Sequence, residues 1–303
     1  MTLRVAFVNN MPSPAFEATD KQFARLLGKE AVLSRYWLAG TPRTAEVQAV
    51  AEARYRPLGH LYRCPPDLLV VTGAEPKAAE LAGEAYWPEL EDLLWWARSC
   101  VPVAVLSCLA AHAALWSFDS LARRRLGQKC SGVFSQRLER SDPLVAGLGQ
   151  VAFPHSRWND VPVGGLVEMG YRVAAGWDGG WTIASAERGQ CLFVLFQGHP
   201  EYEPLTLLRE HRRDARRYLN GEGPYPAVPV GYLDDEGEEI LAQFAARATS
   251  GPPDPALMAL FPFQAAARHV RARWRGASRG LAVNLLGLVH QRAAGPLYSG
   301  RSA

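Results

Sequence analysis

The chain has 303 residues, of which 48% are hydrophobic and 21% are charged, and its formal net charge is +3. These values lie near the average for soluble domains, and no apolar run is long enough to cross a bilayer, so we expect no membrane partner. The slight excess of positive charge does not by itself indicate nucleic-acid binding, which needs basic residues in clusters.

The first residues lead directly into a β-type run, 3–8, without the basic region, apolar segment and cleavage site of a secretory signal. We therefore expect a cytoplasmic protein. The cysteines are odd in number and form no C-x-x-C pair, which argues against a disulfide framework and a structural zinc site. We expect reduced thiols, most of them buried, and no bound metal. The five are Cys64, Cys100, Cys108, Cys130 and Cys191.

Short β-branched runs alternate with amphipathic stretches along the first half of the chain, as in a parallel sheet with crossover helices. In this half the pattern predicts strands at 3–8, 32–38, 68–71 and 101–106 and helices at 19–27 and 88–98. In the second half it predicts strands at 151–153, 171–175, 181–184 and 191–196 and helices at 205–219, 236–247 and 263–291. We expect these later strands to continue or flank the same sheet.

Two basic clusters occur at 123–125 and 212–217, and both interleave with apolar residues. The simpler interpretation of each is a solvated helix face. The alternative is contact with an anionic small molecule such as CoA.

Cys108 lies between a predicted strand and the alanine-rich run 110–116, which has high helix propensity. The dipole at a helix start favours the thiolate, and ligands bind at this edge of an open α/β sheet. Cys108 is therefore a candidate nucleophile, although a small buried hydrophobic residue is the commoner role of a cytosolic cysteine.

His199 and Glu201 follow the predicted strand 191–196, and Pro204 suits the first position of the next helix. A thiol nucleophile needs a base, and the base needs a carboxylate to orient it; this loop offers both groups. Alone, His-x-Glu is a weak pattern that occurs often in surface loops. Together with a cysteine at another strand end, it indicates a Cys-His-Glu triad.

Further short motifs cover the chain from residue 3 to about 218. They are Asn10-Met11-Pro12, Thr72-Gly73-Ala74, Tyr86-Trp87-Pro88-Glu89-Leu90, Cys108-Leu109-Ala110-Ala111, Lys129-Cys130-Ser131-Gly132-Val133-Phe134, Pro154-His155-Ser156-Arg157-Trp158, Gly198-His199-Pro200-Glu201-Tyr202 and Arg213-Asp214. With them the chain resembles the class I glutamine amidotransferase-like superfamily and, within it, the homoserine O-succinyltransferase and O-acetyltransferase family. The resemblance implies an α/β fold with a doubly wound, flavodoxin-like parallel sheet and C-terminal helical additions. We expect a catalytic domain at 1–220 and a helical extension packed on it at 221–303.

The family resemblance assigns a role to each residue of the triad. It implies that Cys108 carries the acyl group as a thioester, that His199 accepts the proton and that Glu201 orients His199. The family positions that bind the amino-acid acceptor are matched by Lys129, Ser156 and Arg213. Cations and a hydroxyl suit a zwitterionic acceptor, whereas a solvated charge is the default role of such cations outside this motif context.

Backbone N–H groups are expected to form the oxyanion hole, that of Leu109 together with one from Gly73 or Ala74. The resemblance implies a ping-pong reaction that moves an acyl group from a CoA thioester to the hydroxyl of homoserine. Acyl-CoA, either succinyl-CoA or acetyl-CoA, is then a co-substrate, and no cofactor is bound permanently. The family also implies a homodimer that acts in methionine biosynthesis.

The chain departs from the family pattern at three positions near the pocket. Leu109 and His112 replace the usual tryptophan and glutamine, and His112 either tunes the thiolate or packs against the sheet. Lys77 stands where the family has glycine with succinyl donors and glutamate with acetyl donors. Its cation can pair with the carboxylate of a succinyl group, which favours succinyl-CoA; the alternative is an exposed loop lysine.

Three alternatives stay open at this point. The first concerns the acceptor, which is homoserine, serine or another hydroxy amino acid. A glutaminase or other hydrolase of the same superfamily is the second alternative, although Ala110 replaces the glycine two residues after the nucleophile and the chain has no synthase domain. A non-enzymatic ligand-binding relative is the third, and the retained triad argues against it.

Overall fold

The computed structural model describes residues 2–12, 15–29 and 31–295. Within these ranges the strands are β1 (Leu3–Asn9), β2 (Ala31–Trp37), β3 (Arg56–Pro57), β4 (Leu68–Val71), β5 (Val103–Ser107), β6 (Arg124–Ser135), β7 (Arg137–Leu138), β8 (Ala152–Asp160), β9 (Arg172–Trp177), β10 (Gly180–Arg188) and β11 (Cys191–Phe196). The α-helices are α1 (Phe16–Leu27), α2 (Ala45–Arg54), α3 (Leu58–Arg63), α4 (Trp87–Cys100), α5 (Leu109–Asp119), α6 (Val163–Glu168), α7 (Thr206–Leu219), α8 (Asp235–Thr249), α9 (Phe263–Ala267) and α10 (Arg275–Ala293). Short 3-10 helices lie at Leu81–Gly83, Pro143–Val145 and Pro255–Leu260.

Nine of these strands form one sheet in the order β3-β2-β1-β4-β5-β11-β10-β9-β7, and β6 pairs with β8 separately. The first six strands in this order are parallel, and β10, β9 and β7 continue the sheet in antiparallel pairings. Ligands bind to such sheets beyond the carboxyl ends of the parallel strands. Because β4, β5 and β11 are neighbours, the loops that follow them meet at one edge.

The central strands β4, β5 and β11 are apolar except for Ser107, because helices cover both of their faces. Every residue of β4, β5 and β11 is buried. Along β1, Leu3, Val5 and Phe7 pack into one hydrophobic cluster with α1, α7 and α10, while Ala6 and Val8 pack into a second cluster with α4 and α5. The helix layers therefore fix the strand ends that carry the candidate site.

All the strands and helices predicted in the first half are present, and their ends differ from the predicted ones by at most three residues. The later strands also join the sheet as expected, through β9, β10 and β11. The strand predicted at 151–153 extends to Asp160 and leaves the main sheet to pair with β6. The prediction of an α/β fold with a largely parallel sheet is confirmed.

Three predictions of local structure are wrong. The basic residues 123–125 do not lie on a helix, since β6 begins at Arg124. The segment 263–291 forms two helices because the chain turns after α9, where Val270 bridges to Leu233. Pro204 precedes Leu205, the N-cap of α7, and so does not take the first helical position.

The cysteines are all free thiols, as predicted, but most of them are not buried. Only Cys191, in the middle of the sheet, is buried. Cys64 follows α3 and Cys100 ends α4, and residues at helix ends keep contact with solvent. Cys108 and Cys130 are partly exposed at the C-terminal edge of the sheet and on β6.

The C-terminal helices pack against the same face of the sheet as α1. Leu281, Leu285 and Val289 of α10 belong to the hydrophobic cluster of that face, and the Trp274 indole donates a 2.8 Å hydrogen bond to the Tyr202 carbonyl oxygen. A domain boundary at residue 220 stays a prediction, and the end of the predicted extension, 296–303, lies outside the described residues. Each helix within the described ranges is too short or too polar to span a bilayer.

Candidate active site

Cys108 lies at the tight turn between β5 and α5. Its backbone has φ 53° and ψ −108°, and a positive φ is strained for a residue with a side chain. The turn is held by a 2.6 Å hydrogen bond from the Cys108 N–H to the carbonyl oxygen of Phe196, at the end of β11. The thiol is therefore presented, partly exposed, at the sheet edge and at the N-terminus of α5.

His199 and Glu201 are buried on the loop between β11 and α7. The His199 Nδ1–H donates a 2.7 Å hydrogen bond to Glu201 Oε1, and the Tyr202 ring stacks on the imidazole at a centroid distance of 4.2 Å. The His199 backbone N–H donates to the Pro154 carbonyl oxygen at 2.8 Å. The second ring nitrogen, Nε2, is buried and has no hydrogen-bond partner of standard geometry within the described residues. It is available to the nucleophile and to a substrate.

The pKa of His199 is raised to about 10. Burial acts in the opposite direction, but it is outweighed by the charge of Glu201 and by Cys108. His199 is therefore protonated at neutral pH, and an imidazolium beside a thiol favours the reactive thiolate. Two other buried histidines differ: burial lowers the pKa of His112 to about 4 and that of His155 well below its usual range.

We expect Glu201→Gln to lower the pKa of His199, because the carboxylate attracts the charged ring. A pH titration of isotope-labelled imidazoles by nuclear magnetic resonance measures this pKa, and the wild-type ring should titrate near 10. Since the folded pKa lies above 6.5, the stabilisation from this group is full below pH 6.5 and is lost as the pH rises through about 10. Glu203→Gln, on the same loop, is the control and should leave the His199 signal in place. A wild-type His199 that titrates near 6.5 contradicts the prediction.

The backbone groups expected to form an oxyanion hole are adjacent in space. Gly73 follows β4 and Leu109 begins α5, and a Cβ atom on Gly73 would lie 2.9 Å from the Leu109 nitrogen. The N–H groups of Gly73, Ala74 and Leu109 donate no hydrogen bond to another described residue. Free donors of this kind, at a helix start beside Cys108, suit a developing oxyanion.

The three residues expected to bind an amino-acid acceptor lie close together, on β6, β8 and α7. Lys129 Nζ is 2.7 Å from Asp214 Oδ2, and Arg213 Nε donates a 2.8 Å hydrogen bond to Asp214 Oδ1. The Ser156 hydroxyl donates a hydrogen bond to Glu210. Lys129 is also 3.7 Å from Glu210. The structure thus brings these residues together and surrounds them with carboxylates.

Tyr202 connects this cluster to the triad. Its ring stacks on His199, and its hydroxyl donates a 2.7 Å hydrogen bond to Glu210 Oε1. One turn beyond, Arg217 pairs with Glu75 at 2.6 Å. The carboxylates were missed by the sequence analysis, although helical spacing i, i+3, i+4 and i+7 places four charged residues on one face of α7. They are Glu210, Arg213, Asp214 and Arg217.

Two positions that depart from the family pattern lie in different surroundings. Lys77 is exposed, and its backbone N–H donates a 2.6 Å hydrogen bond to the buried carboxylate of Glu84. His112 is buried against Trp181, and its Nε2 lies 2.9 Å from the Gln197 amide oxygen. His112 is therefore a helix histidine packed on the sheet. No cluster of potential metal ligands occurs in the described part of the chain.

Sequence comparison identifies the family. A family model described as homoserine O-succinyltransferase matches residues 1–294. The chain belongs to this family. A relative from Methylorubrum extorquens named homoserine O-succinyltransferase is 42% identical over 295 residues, which cover 96% of this chain and 88% of the relative. A relative of the same name from Cardiobacterium hominis is 36% identical over 95% of this chain and 83% of its own length.

Two solved structures with a similar fold are described as glutamine amidotransferases. One from Methylobacillus flagellatus has a TM-score of 0.52 at 13% identity and covers 95% of this chain and 96% of its own. Another, from Thermotoga maritima, has a TM-score of 0.50 at 12% identity and covers 95% of this chain and 99% of its own. The family resemblance drawn from the short motifs and the amidotransferase-like fold are both confirmed.

Proposed function

We propose that this protein transfers a succinyl group from succinyl-CoA to the hydroxyl of homoserine, in methionine biosynthesis, through a thioester on Cys108. The observation that carries the proposal is the arrangement at the sheet edge. Cys108 occupies a strained turn at a helix start, and His199, hydrogen-bonded to Glu201 on the next strand end, interacts with the Cys108 side chain. Family membership supplies the substrate class that this arrangement serves.

In the first step the thiolate of Cys108 attacks the carbonyl carbon of the CoA thioester. The carbonyl oxygen becomes an oxyanion, and the N–H groups of Leu109 and of Gly73 or Ala74 stabilise it. The intermediate collapses by breaking the bond to the CoA sulfur, which takes the proton from His199 and leaves as the thiol. An acyl thioester on Cys108 and a neutral His199 remain.

In the second step the neutral His199 removes the proton of the acceptor hydroxyl. The acceptor oxygen attacks the acyl carbon, and the same oxyanion hole holds the second tetrahedral intermediate. The bond from carbon to the Cys108 sulfur then breaks, and the thiolate is restored beside a protonated His199. The Glu201 carboxylate keeps the ring in the tautomer that can accept the proton at Nε2.

The charged cluster beside the triad suits a zwitterionic acceptor. Burial acts against ionisation of Asp214, but Lys129 and Arg213 hold its pKa below the usual range. Cations and carboxylates therefore alternate, so that the acceptor carboxylate can pair with Lys129 or Arg213 and its ammonium with Glu210 or Asp214. The hydroxyl end then lies toward His199, because Tyr202 joins Glu210 to the imidazole.

We expect Arg213→Gln to raise the KM for the acceptor roughly 10- to 100-fold, as the loss of one hydrogen bond to a charged group does. The rate at which the acyl donor loads Cys108 should stay within about twofold of the wild-type rate, because that step precedes acceptor binding. Arg216→Gln, an exposed arginine on the same helix, is the matched control. Equal effects of Arg213→Gln on loading and on acceptor KM contradict an acceptor-binding role.

A panel that pairs succinyl-CoA or acetyl-CoA with homoserine or serine tests the choice of donor and acceptor. The measured quantity is the rate at which the CoA thiol is released. We expect succinyl-CoA with homoserine to give the highest kcat/KM. Faster turnover with acetyl-CoA or with serine would change the identity of the donor or the acceptor and would leave the two-step acyl transfer unchanged. Glutamine hydrolysis without CoA release from any pair favours the glutaminase alternative and overturns the proposal.

Four further proposals concern the location, assembly, cofactor content and domain organisation of the protein. We propose that the protein acts in the cytoplasm as a homodimer, with no permanently bound cofactor. Residues 1–220 form its catalytic unit, and the described part of 221–303 is a helical extension packed on that unit. Sedimentation of the full chain measures the oligomeric state.

A further inference from the structure

Arg123 has an unusual environment for an arginine at the sheet edge. Its Nη2 donates hydrogen bonds to the carbonyl oxygens of Ala78 and Ala79, at 3.4 and 3.0 Å. Its Nη1 is buried without a hydrogen-bond partner among the described residues, while the charges of Glu84 and Glu80 act on the guanidinium. A buried donor left unpaired costs about 1–3 kcal/mol, so such donors in a ligand-free enzyme indicate a group that a ligand brings.

A second unpaired polar group lies in the same region. The Tyr86 side chain is 1% exposed, and its hydroxyl has no hydrogen-bond partner among the described residues. Arg123 and Tyr86 interact electrostatically, and both also interact with the buried carboxylate of Glu84. One oxygen of Glu84, Oε1, accepts the backbone N–H groups of Lys77 and Ala78. The Tyr86 hydroxyl and the Arg123 Nη1 both remain without a hydrogen-bond acceptor among the described residues.

The loop held by Arg123 continues directly from the oxyanion hole. It begins at Gly73, whose Cα carries no side chain where it approaches the Leu109 nitrogen, and it runs through Lys77 to the carbonyl groups bound by Arg123. Burial lowers the pKa of Arg123, whereas Tyr86, Glu84, Glu80 and, to the smallest extent, Cys108 act on the guanidinium in the opposite direction. The guanidinium is therefore close enough to the nucleophile for the two groups to interact electrostatically.

We propose that Arg123, with the Tyr86 hydroxyl, binds the free carboxylate of the acyl donor and so selects a dicarboxylic acyl group. A carboxylate accepts two N–H bonds from a guanidinium, and a tyrosine hydroxyl can supply a further donor. The acyl group is the part of the donor bonded to Cys108, and its carboxylate lies two methylene groups beyond the thioester carbon. This inference rests on the proposed succinyl transfer and assigns its selectivity to Arg123 instead of the exposed Lys77.

Arg124 and Arg125 complete the basic cluster but face a different environment. Arg124 is exposed, and the Arg125 guanidinium lies 5.0 Å from the centre of the Trp158 ring. The phosphates of CoA are separated from the thioester by its long pantetheine arm, so a contact with them would involve the exposed residues of the cluster. The buried Nη1 of Arg123 instead suits the acyl end of the donor.

The test compares two donors of equal chain length, succinyl-CoA and butyryl-CoA. Butyryl-CoA carries a methyl group in place of the free carboxylate of succinyl-CoA. The rate of Cys108 loading is measured by rapid quenching and intact mass, without acceptor. We expect Arg123→Gln to lower the ratio of succinyl to butyryl loading rates by about 30-fold, and Tyr86→Phe to lower it by about tenfold. Arg124→Gln is the matched control and should keep the wild-type ratio.

The outcomes separate this inference from the proposed function. An unchanged ratio in both Arg123→Gln and Tyr86→Phe overturns the inference, as does an equal loss with both donors or a lowered ratio in Lys77→Gln alone. If Arg123→Gln does not fold, the loading ratio of Tyr86→Phe tests the inference. This variant should fold, because the Tyr86 hydroxyl makes no hydrogen bond within the described residues. A wild-type protein that succinyl-CoA does not acylate overturns the proposed function itself, and this inference with it.

Discussion

Cys108→Ala should lower kcat/KM for acyl transfer by about 10⁴-fold or more, because the substitution removes the atom that forms the covalent intermediate. The loss should appear in both half-reactions, since no acyl group is loaded and none can be passed on. Release of the CoA thiol in the presence of homoserine measures the overall reaction. The fold should be retained, because alanine occupies the same turn without adding an atom.

Cys64→Ala is the matched control for this substitution. Cys64 carries another free thiol, which is exposed at the end of α3. Its removal should leave turnover within about twofold of the wild-type value. Residual activity of Cys108→Ala above about one tenth of the wild-type rate would mean that the acyl group passes directly from CoA to the acceptor. In that case the thioester mechanism is wrong.

Gly73→Ala should lower kcat by about 10²-fold or more, the cost expected when an oxyanion hole loses a donor. The added Cβ would lie 2.9 Å from the Leu109 nitrogen and 3.1 Å from the Ser107 carbonyl oxygen, and both neighbours are backbone atoms that cannot swing away. It therefore pushes the two donor segments apart and enters the space of the oxyanion. Single-turnover loading of Cys108 by succinyl-CoA isolates the affected step.

Gly59→Ala is the control, because a Cβ at this helix position meets no atom within 4 Å. It should leave loading unchanged and, as an alanine in α3, should not lower the melting temperature. The melting temperature of Gly73→Ala must be measured beside its activity, since the same close contact also strains the fold. A folded Gly73→Ala protein with wild-type loading contradicts the assignment of the oxyanion hole to this contact.

The parts of the fold that follow a strong periodic pattern could be predicted from the sequence. β4 and β11 are short runs of large apolar residues, and their limits agree with the predicted ones because buried parallel strands have no polar positions to confuse the pattern. β6 was missed since its 12 residues include charged, small and partly exposed side chains and lack a regular alternation. Its partner β8 was predicted too short for the same reason, because only its first residues are uniformly apolar.

The residues of the candidate site could also be predicted only in part from the sequence. The sequence places Cys108 and His199 at two strand ends, and the parallel pairing of β5 with β11 in the structure makes these ends neighbours. The carboxylates around Lys129 come from α7 and depend on how that helix rotates against β6 and β8, which no local pattern specifies. Arg123 was interpreted as part of a solvated cluster, because the carbonyl groups to which it donates, those of Ala78 and Ala79, are far away in the sequence.

The central claim is that Cys108 carries the acyl group, and intact-mass measurement tests it most directly. The wild-type protein is mixed with succinyl-CoA in the absence of acceptor, and the modified peptide is then located by fragmentation. We expect a mass gain of one succinyl group on Cys108 that homoserine removes and that is absent in Cys108→Ala. A protein that turns over succinyl-CoA and homoserine without this adduct, or with the adduct on another residue, contradicts the account.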